Sequence, residues 1–328
     1  MIRTRLSGLF DLQYPIVLAP MGGISGGRLA AAVSNAGGLG LVGGGYGDAD
    51  WVRAELAQVK AATKRAWGIG FITWSLKPEV LDLALEHKPY AVMLSFGDPK
   101  PHARRVKAAG CKLICQVQDL DGARIAAEAG ADIVIAQGTE AGGHGARRAT
   151  LPLVPAVVDA VAPTPVLAAG GICDGRGLAA ALMLGAEGVL VGTRFYASVE
   201  ALGTNAAKER IVAGRGDDTL RTRVFDIVRQ LPWPEANTGR ALRNRFLERW
   251  HGREADLERA LGDETPAYHE AARKADADTA VVWAGEGIDL IKRVERAESL
   301  VVSMGVQAHR MLGAATRLAG DPKAASNA

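Results

Sequence analysis

A histidine set in a run of glycines is the first feature of this sequence that could do chemistry. Glu140-Ala141-Gly142-Gly143-His144-Gly145 carries an imidazole on a segment with few other side chains. Such a loop can bring the ring over a bound molecule, and a histidine poised near neutral pH is the usual general base. Glu140, four residues earlier, either orients the ring or faces solvent. The other histidines, His87, His102, His251, His269 and His309, fall in helical or charged stretches and read as structural or solvated residues. A second group could hold an anion. Gly170-Gly171 lets backbone approach a ligand closely, Gly192 and Thr193 add N–H groups and a hydroxyl, and Asp174-Gly175-Arg176-Gly177 opens a helix whose dipole favours negative charge. Together they suggest a cradle for a monophosphate cofactor or substrate. The pattern GxxxxGK[ST] is absent, which argues against a P-loop ATPase.

These residues need elements to position them. Eight short apolar runs read as strands: Pro15–Met21, Leu39–Gly44, Trp67–Thr73, Ala91–Phe96, Lys112–Val117, Asp132–Gln137, Pro165–Ala169 and Gly188–Thr193. Runs apolar throughout suit parallel strands buried on both faces. Helix patterns lie between them at Gly27–Ala36, Asp50–Thr63, Pro78–Glu86, Pro101–Ala109, Asp121–Ala129, Leu151–Val161 and Asp174–Leu184. Asp50, Asp121 and Asp174 are expected to cap helix starts; Gly37, Gly110, Gly130 and Gly185 are expected to end helices in left-handed geometry. A repeat of about 25 residues favours closure into an α/β (β/α)8 TIM barrel over a doubly wound sheet. The active site of such a barrel lies at the C-terminal strand ends. Five of the glycine-rich or site-bearing segments, after the first, second, sixth, seventh and eighth runs, fall on that face. None of the runs ends in lysine, which disfavours a Schiff-base aldolase.

Composition sets outer limits. Glycine accounts for 40 of 328 residues, about 12% against a usual ~7%. A formal charge of +3 and 5% aromatic residues argue against a nucleic-acid surface. Cys111, Cys115 and Cys173 form no CxxC pair, so neither a disulfide framework nor a metal site is expected. No membrane span is expected, the first ten residues read as part of the fold, and a reducing cytoplasm is the expected location.

The pattern changes after Phe195. Ala206–Ala213 reads as helix. The charged stretch from Arg215 to Thr279 shows amphipathic pieces at Ala241–Trp250 and Glu254–Leu261, the turn Leu231-Pro232-Trp233-Pro234, and no strand period. Helix resumes over Glu286–Leu318, and Gly320–Ala328 reads as a frayed tail. The expected organisation is a barrel over 1–213, a mainly helical subdomain over the mouth at 214–283, inserted before the final helix, and helices at 284–320 that return to the barrel. Tyr46 and Trp74 either line the mouth or pack. Trp233 either closes over the pocket or anchors the subdomain. Arg147 and Arg148 read as a solvated face, and Cys173 lies near the anion cradle.

Pro15–Met21 with Gly22-Gly23, Asn35-Ala36-Gly37-Gly38-Leu39-Gly40, the segment ending in His144-Gly145, Ala169-Gly170-Gly171-Ile172 and Val191-Gly192-Thr193-Arg194-Phe195 resemble the nitronate monooxygenase family, formerly called 2-nitropropane dioxygenase. The family also includes FMN-dependent enoyl-acyl-carrier-protein reductases. The resemblance covers about Pro15–Phe195 and, more loosely, Ala284–Val301. It implies an FMN-binding TIM barrel with a second small domain. It places the FMN phosphate at Gly170, Gly171, Gly192 and Thr193, and His144 as the catalytic residue. Ala19, Pro20, Met21 and Gly22 would run past the flavin ring, with Gln116 near its polar edge. Gly70, Gln137, Gly138, Gly143 and Ala169 complete the implied cofactor contacts. The sequence departs from many relatives at Gly70, where they carry asparagine, and at Ala19-Pro20-Met21, where they often have glutamine.

The implied reaction is oxidation of an alkyl nitronate by O2 to a carbonyl compound and nitrite, with His144 as base. The alternative is an NAD(P)H-dependent FMN reductase of an enoyl thioester or quinone, with NAD(P)H docking transiently. Small molecules and O2 are the expected partners, without nucleic acid or membrane, and a homodimer is the candidate assembly.

Overall fold

The computed structural model describes residues 2–318; the expected tail Gly320–Ala328 lies outside them. Eight parallel strands form the central sheet. They are β1 (Ile16–Leu18), β2 (Gly40–Gly45), β3 (Trp67–Ile72), β4 (Ala91–Ser95), β5 (Lys112–Val117), β6 (Ile133–Gln137), β8 (Val166–Ala169) and β9 (Val189–Val191), with β7 (Gly143–Gly145) lying elsewhere. The order is β1-β9-β8-β6-β5-β4-β3-β2. A parallel bridge between Val17 and Leu39 joins the two ends and closes the barrel. All eight expected strands are present. The first is shorter than expected, because the chain leaves the sheet after Leu18 and turns at Ala19 to Met21.

Alternation along each strand separates two cores. Val17, Leu41, Met93, Ile114, Ile135, Leu167 and Leu190 point into the barrel and pack on one another. Ile16, Leu18, Val42, Val92, Leu113, Val134 and Val189 point outward under the helices. The first helix, α1 (Arg5–Phe10), inserts Leu6 and Phe10 into the inner core and plugs the N-terminal end. The open end is therefore the C-terminal one.

The outer helices are α2 (Gly27–Asn35), α3 (Ala49–Ala62), α4 (Pro78–Glu86), α5 (Lys100–Ala108), α6 (Leu120–Glu128), α7 (Thr150–Val161) and α8 (Gly175–Met183). Asp174 caps α8 as expected, but the caps of α3 and α6 are Asp48 and Asp119. Asp50 and Asp121 instead stand in the first turn. Asp48 and Asp119 are extended residues whose carboxylates reach N–H groups three residues on, the geometry that defines a cap. Gly37, Gly110, Gly130 and Gly185 all have positive φ, as the C-terminal reading requires.

After β9 come α9 (Thr193–Tyr196) and α10 (Asn205–Ala213), then β10 (Thr219–Thr222), α11 (Val224–Val228), β11 (Thr238–Leu242), α12 (Arg245–Trp250), α13 (Glu254–Arg259) and α14 (Leu261–Arg273). The stretch is mainly helical, as expected, but it also holds two strands the sequence pattern did not show. β10 and β11 pair antiparallel, and β11 pairs antiparallel with β7, so residues 143–145 join a small sheet with residues 219–242. Their own core contains Phe225, Phe246, Trp250 and Tyr268. Helix α15 (Ala297–Leu318) then packs between α8 and α2 and completes the outer ring. A Cβ at Gly175 would meet the Met304 carbonyl, which shows how closely the two helices approach.

Gly40 illustrates why part of the glycine excess serves packing. A Cβ there would drive into the Ala30 carbonyl of α2, whereas one at exposed Gly8 in α1 meets nothing within 4 Å. Gly40→Ala should cost about 1–3 kcal/mol through overpacking and lower Tm. Gly8→Ala should leave Tm unchanged or raise it, through about 0.5–1 kcal/mol of helix preference. Thermal denaturation of the two variants checks this.

Candidate active site

The strand ends converge on a cavity of about 240 Å³ at the open end of the barrel. Ala19, Pro20, Met21, Gly22, Gly70, Gln116, Gln137, Gly143, His144, Ala169, Gly170, Gly171, Gly192 and Thr193 all line it. Gly138 does not. Its N–H donates to the Ala169 carbonyl, and a Cβ there would collide with Thr150. Gly70 lines the wall, but its missing side chain makes room for the Pro20 ring.

On the β8 and β9 side the backbone is arranged for an anion. Gly170 and Gly171 have φ of 111° and 73°, a region L side chains rarely adopt. Among the described residues, the N–H groups of Gly171, Gly192 and Thr193 donate to no protein acceptor. The Thr193 hydroxyl accepts from the Gly285 N–H at 3.0 Å, and Gly285 and Gly287 complete this part of the wall. The expected help from α8 is not there. Asp174 accepts from the Arg176 and Gly177 N–H groups and Gln307 from that of Gly175, so the first donors of that helix are already occupied. Arg194 also turns away, toward Glu295 and the Arg293 carbonyl. Cys173 lines the same side, buried, with burial pushing its thiol up to about 12.

His144 is held from several directions. It lies on β7 opposite Gly239 of β11. The Gln137 amide donates to its carbonyl at 3.0 Å, and that amide's own oxygen accepts from Gln116 and Gln118. Arg221 and Arg240 both donate to the Thr139 carbonyl just upstream. Burial pushes the Arg221 guanidinium down to about 10. Glu140 neither orients His144 nor faces bulk solvent; its carboxylate accepts from the N–H and hydroxyl of Thr150 at the start of α7.

The partner of the imidazole is Asp226 in α11. Both carboxylate oxygens lie 2.9 Å from Nε2. The side chains are 9% and 4% exposed. A carboxylate only accepts, so this contact fixes the proton on Nε2 in the neutral ring. Nδ1 then carries the lone pair, and among the described residues it has no hydrogen-bond partner. The ring stacks flat on Trp233, with centroids 3.5 Å apart and planes within 3°. Burial lowers the His144 pKa below its ordinary value, Asp226 opposes that shift, and Arg229 and Arg221 add to it.

Trp233 therefore both covers the pocket and ties the subdomain down, because its indole N–H donates to the Tyr46 hydroxyl after β2 at 2.8 Å. Phe96, Trp283 and Arg229 also line this side. Phe96 sits at φ 62°, a strained position for a bulky residue, with its ring 5.0 Å from Trp233. Trp74 packs on Tyr46 and Trp233 but is not part of the wall. Sequence reasoning missed Asp226, Arg229 and Trp283. A faint signal for Asp226 existed: one carboxylate among Val224, Phe225, Ile227 and Val228.

The nitronate monooxygenase family model matches residues 3–84 and 72–306. A probable nitronate monooxygenase of Staphylococcus saprophyticus is 30% identical over a 370-residue alignment, which spans 95% of this chain and 99% of that protein. FabK from Thermotoga maritima is similar in structure with a TM-score of 0.86 at 31% identity, over 97% of this chain and 100% of that one. Nitroalkane oxidase from Streptomyces ansochromogenes gives a TM-score of 0.82 at 30% identity, over 94% and 99%. With the family match running across most of the barrel and the inserted segment, this chain belongs to the nitronate monooxygenase family, a family of oxidoreductases.

Proposed function

We propose that this protein is an FMN-dependent nitronate monooxygenase, converting alkyl nitronates and O2 to carbonyl compounds and nitrite with His144 as the base. The observation that carries the reading is a buried imidazole with one nitrogen engaged by Asp226 and the other, among the described residues, without a protein partner. It stands on a cavity that also exposes unpaired backbone N–H groups.

The residues present suit FMN. Gly170, Gly171, Gly192 and Thr193 would hold its phosphate, since three of their N–H groups lack acceptors and glycine leaves the cradle free of side chains. Met21 and Gly22 would flank the ring system, and the Gln116 and Gln137 amides would serve its polar edge. Bound there, FMN would supply the electron acceptor for the substrate and the route of electrons to O2.

The chain's own part is acid–base and electrostatic. His144 Nδ1 takes the α-proton of a neutral nitroalkane, leaving the nitronate anion. The new imidazolium keeps its Nε2–H on Asp226 and its face on Trp233, and both favour the positive charge. Tyr46, Phe96, Trp233 and Trp283 exclude water from that side.

Purified protein should be yellow and should release nitrite from a nitronate in air. Anaerobic bleaching by NADPH without nitrite formation would instead establish the reductase alternative. Gly192→Val should lower bound flavin, read from visible absorbance. His144→Ala should keep flavin and lose about 10²–10⁴ in kcat/KM with neutral nitroalkanes, but much less with preformed nitronate, which needs no proton removed.

The pH profile has a definite sign. Burial depresses the His144 pKa, so the ring stays neutral, and able to accept a proton, to below its ordinary 6.5. The acid limb of kcat/KM for neutral nitroalkanes should therefore lie below that value. Asp226 raises the His144 pKa, so Asp226→Asn should move the limb to still lower pH, as a pH series of initial rates would show.

A further inference from the structure

Arg229 is a cation in the cavity wall. Among the described residues it has no acidic partner within 4.0 Å, whereas three other arginines of this part of the chain are engaged. Arg221 is spent on the Thr139 and Thr238 carbonyls, Arg240 on Glu286, and Arg194 on Glu295. Asp226, one turn earlier in the same segment, is engaged by His144. Arg229 lies beside the Tyr46 hydroxyl, which itself accepts from Trp233. The other charged or titratable groups facing it are His144, Asp226 and Tyr268.

Its surroundings are aromatic. Tyr46 follows β2, Phe96 follows β4, Trp233 lies before β11, and Trp283 bridges to Ala241. In the circular strand order, β3 and β4 stand across the mouth from β8 and β9, so Phe96 is opposite the backbone N–H cradle. The cavity thus has a backbone anion site at one side and, among the described residues, one lining guanidinium, beside Tyr46, in a wall that also carries Phe96, Trp233 and Trp283. A partly desolvated guanidinium is stabilised by a ligand oxyanion, and its planar fork matches two oxygens on one atom. Flat aromatic walls gain most from a planar, unsaturated body.

We propose that Arg229 is the specificity-determining residue that grips the two oxygens of the substrate's anionic head, and that the preferred substrate is a nitronate bearing a planar conjugated or aromatic body. This rests on the monooxygenase reading for the identity of the head group, but the anion site is testable without turnover. Benzoate serves as probe, because it presents two oxygens on a planar conjugated body and carries no nitro group to oxidise.

Titration of benzoate into the FMN-loaded protein should show binding tighter than that of cyclohexanecarboxylate, which has the same head and a puckered body. Arg229→Gln should weaken benzoate by about 10–100-fold, the loss expected for a charge-assisted pair, with flavin content unchanged. Arg229→Lys should recover part of it. In turnover with the nitronate of phenylnitromethane, Arg229→Gln should raise KM by a similar factor and change kcat far less. Equal benzoate affinity in Arg229→Gln, or no preference for benzoate over cyclohexanecarboxylate, would overturn the proposal. Arg229-dependent benzoate binding in a protein that forms no nitrite would support this anion site while refuting the monooxygenase reading.

Discussion

The structure turns on a buried imidazole whose two partners come from a distant part of the chain. His144 leaves the barrel rim after β6, while Asp226 and Trp233 arrive from the segment inserted after β9. A polar ring removed from water is costly unless both its charge state and its hydrogen bonds are provided for. Here one carboxylate sets the tautomer and one indole covers the face. The position of the inserted segment is therefore part of the site. That explains why several contacts lock it to the His144 loop: the β7–β11 pairing and the two arginines on the Thr139 carbonyl.

The barrel divides labour across its mouth. Loops after β8 and β9 contribute backbone with few side chains, suited to a ligand held by N–H groups. Loops after β2 and β4, with the inserted segment, contribute rings. Parallel closure puts all these strand ends on one face, while α1 fills the opposite end with Leu6 and Phe10. The wall facing the cradle is also tied shut. The Trp233 indole reaches the Tyr46 hydroxyl, so the inserted segment is pinned to the barrel at a point beside the imidazole.

Glycine has two separate jobs here. Gly170 and Gly171 have backbone angles open chiefly to glycine and border the cavity. Gly40, Gly138 and Gly175 instead admit a neighbouring helix or side chain, and Gly70 does both, lining the cavity and admitting the Pro20 ring. Composition alone does not separate the two groups, since both place glycine near a strand or helix end.

Much of this protein was legible in its sequence. Eight buried strands, their intervening helices and the C-terminal glycines follow from local periodicity and turn chemistry, which act over a few residues. Most of the cavity wall was legible for the same reason: in a parallel barrel every strand end lies on one rim, so finding the strands locates the rim. The errors were also local, such as the caps at Asp48 and Asp119, two residues before the expected carboxylates. What only the tertiary structure decided was which distant groups meet. The Asp226 carboxylate, Arg229 and Trp283 gave no periodic signal, Glu140 turned to Thr150, and α8 spent its first N–H groups on Asp174 and Gln307. Strands β10 and β11 escaped notice because each is only four or five residues long, and β11 also pairs with β7, roughly 95 residues earlier in the chain.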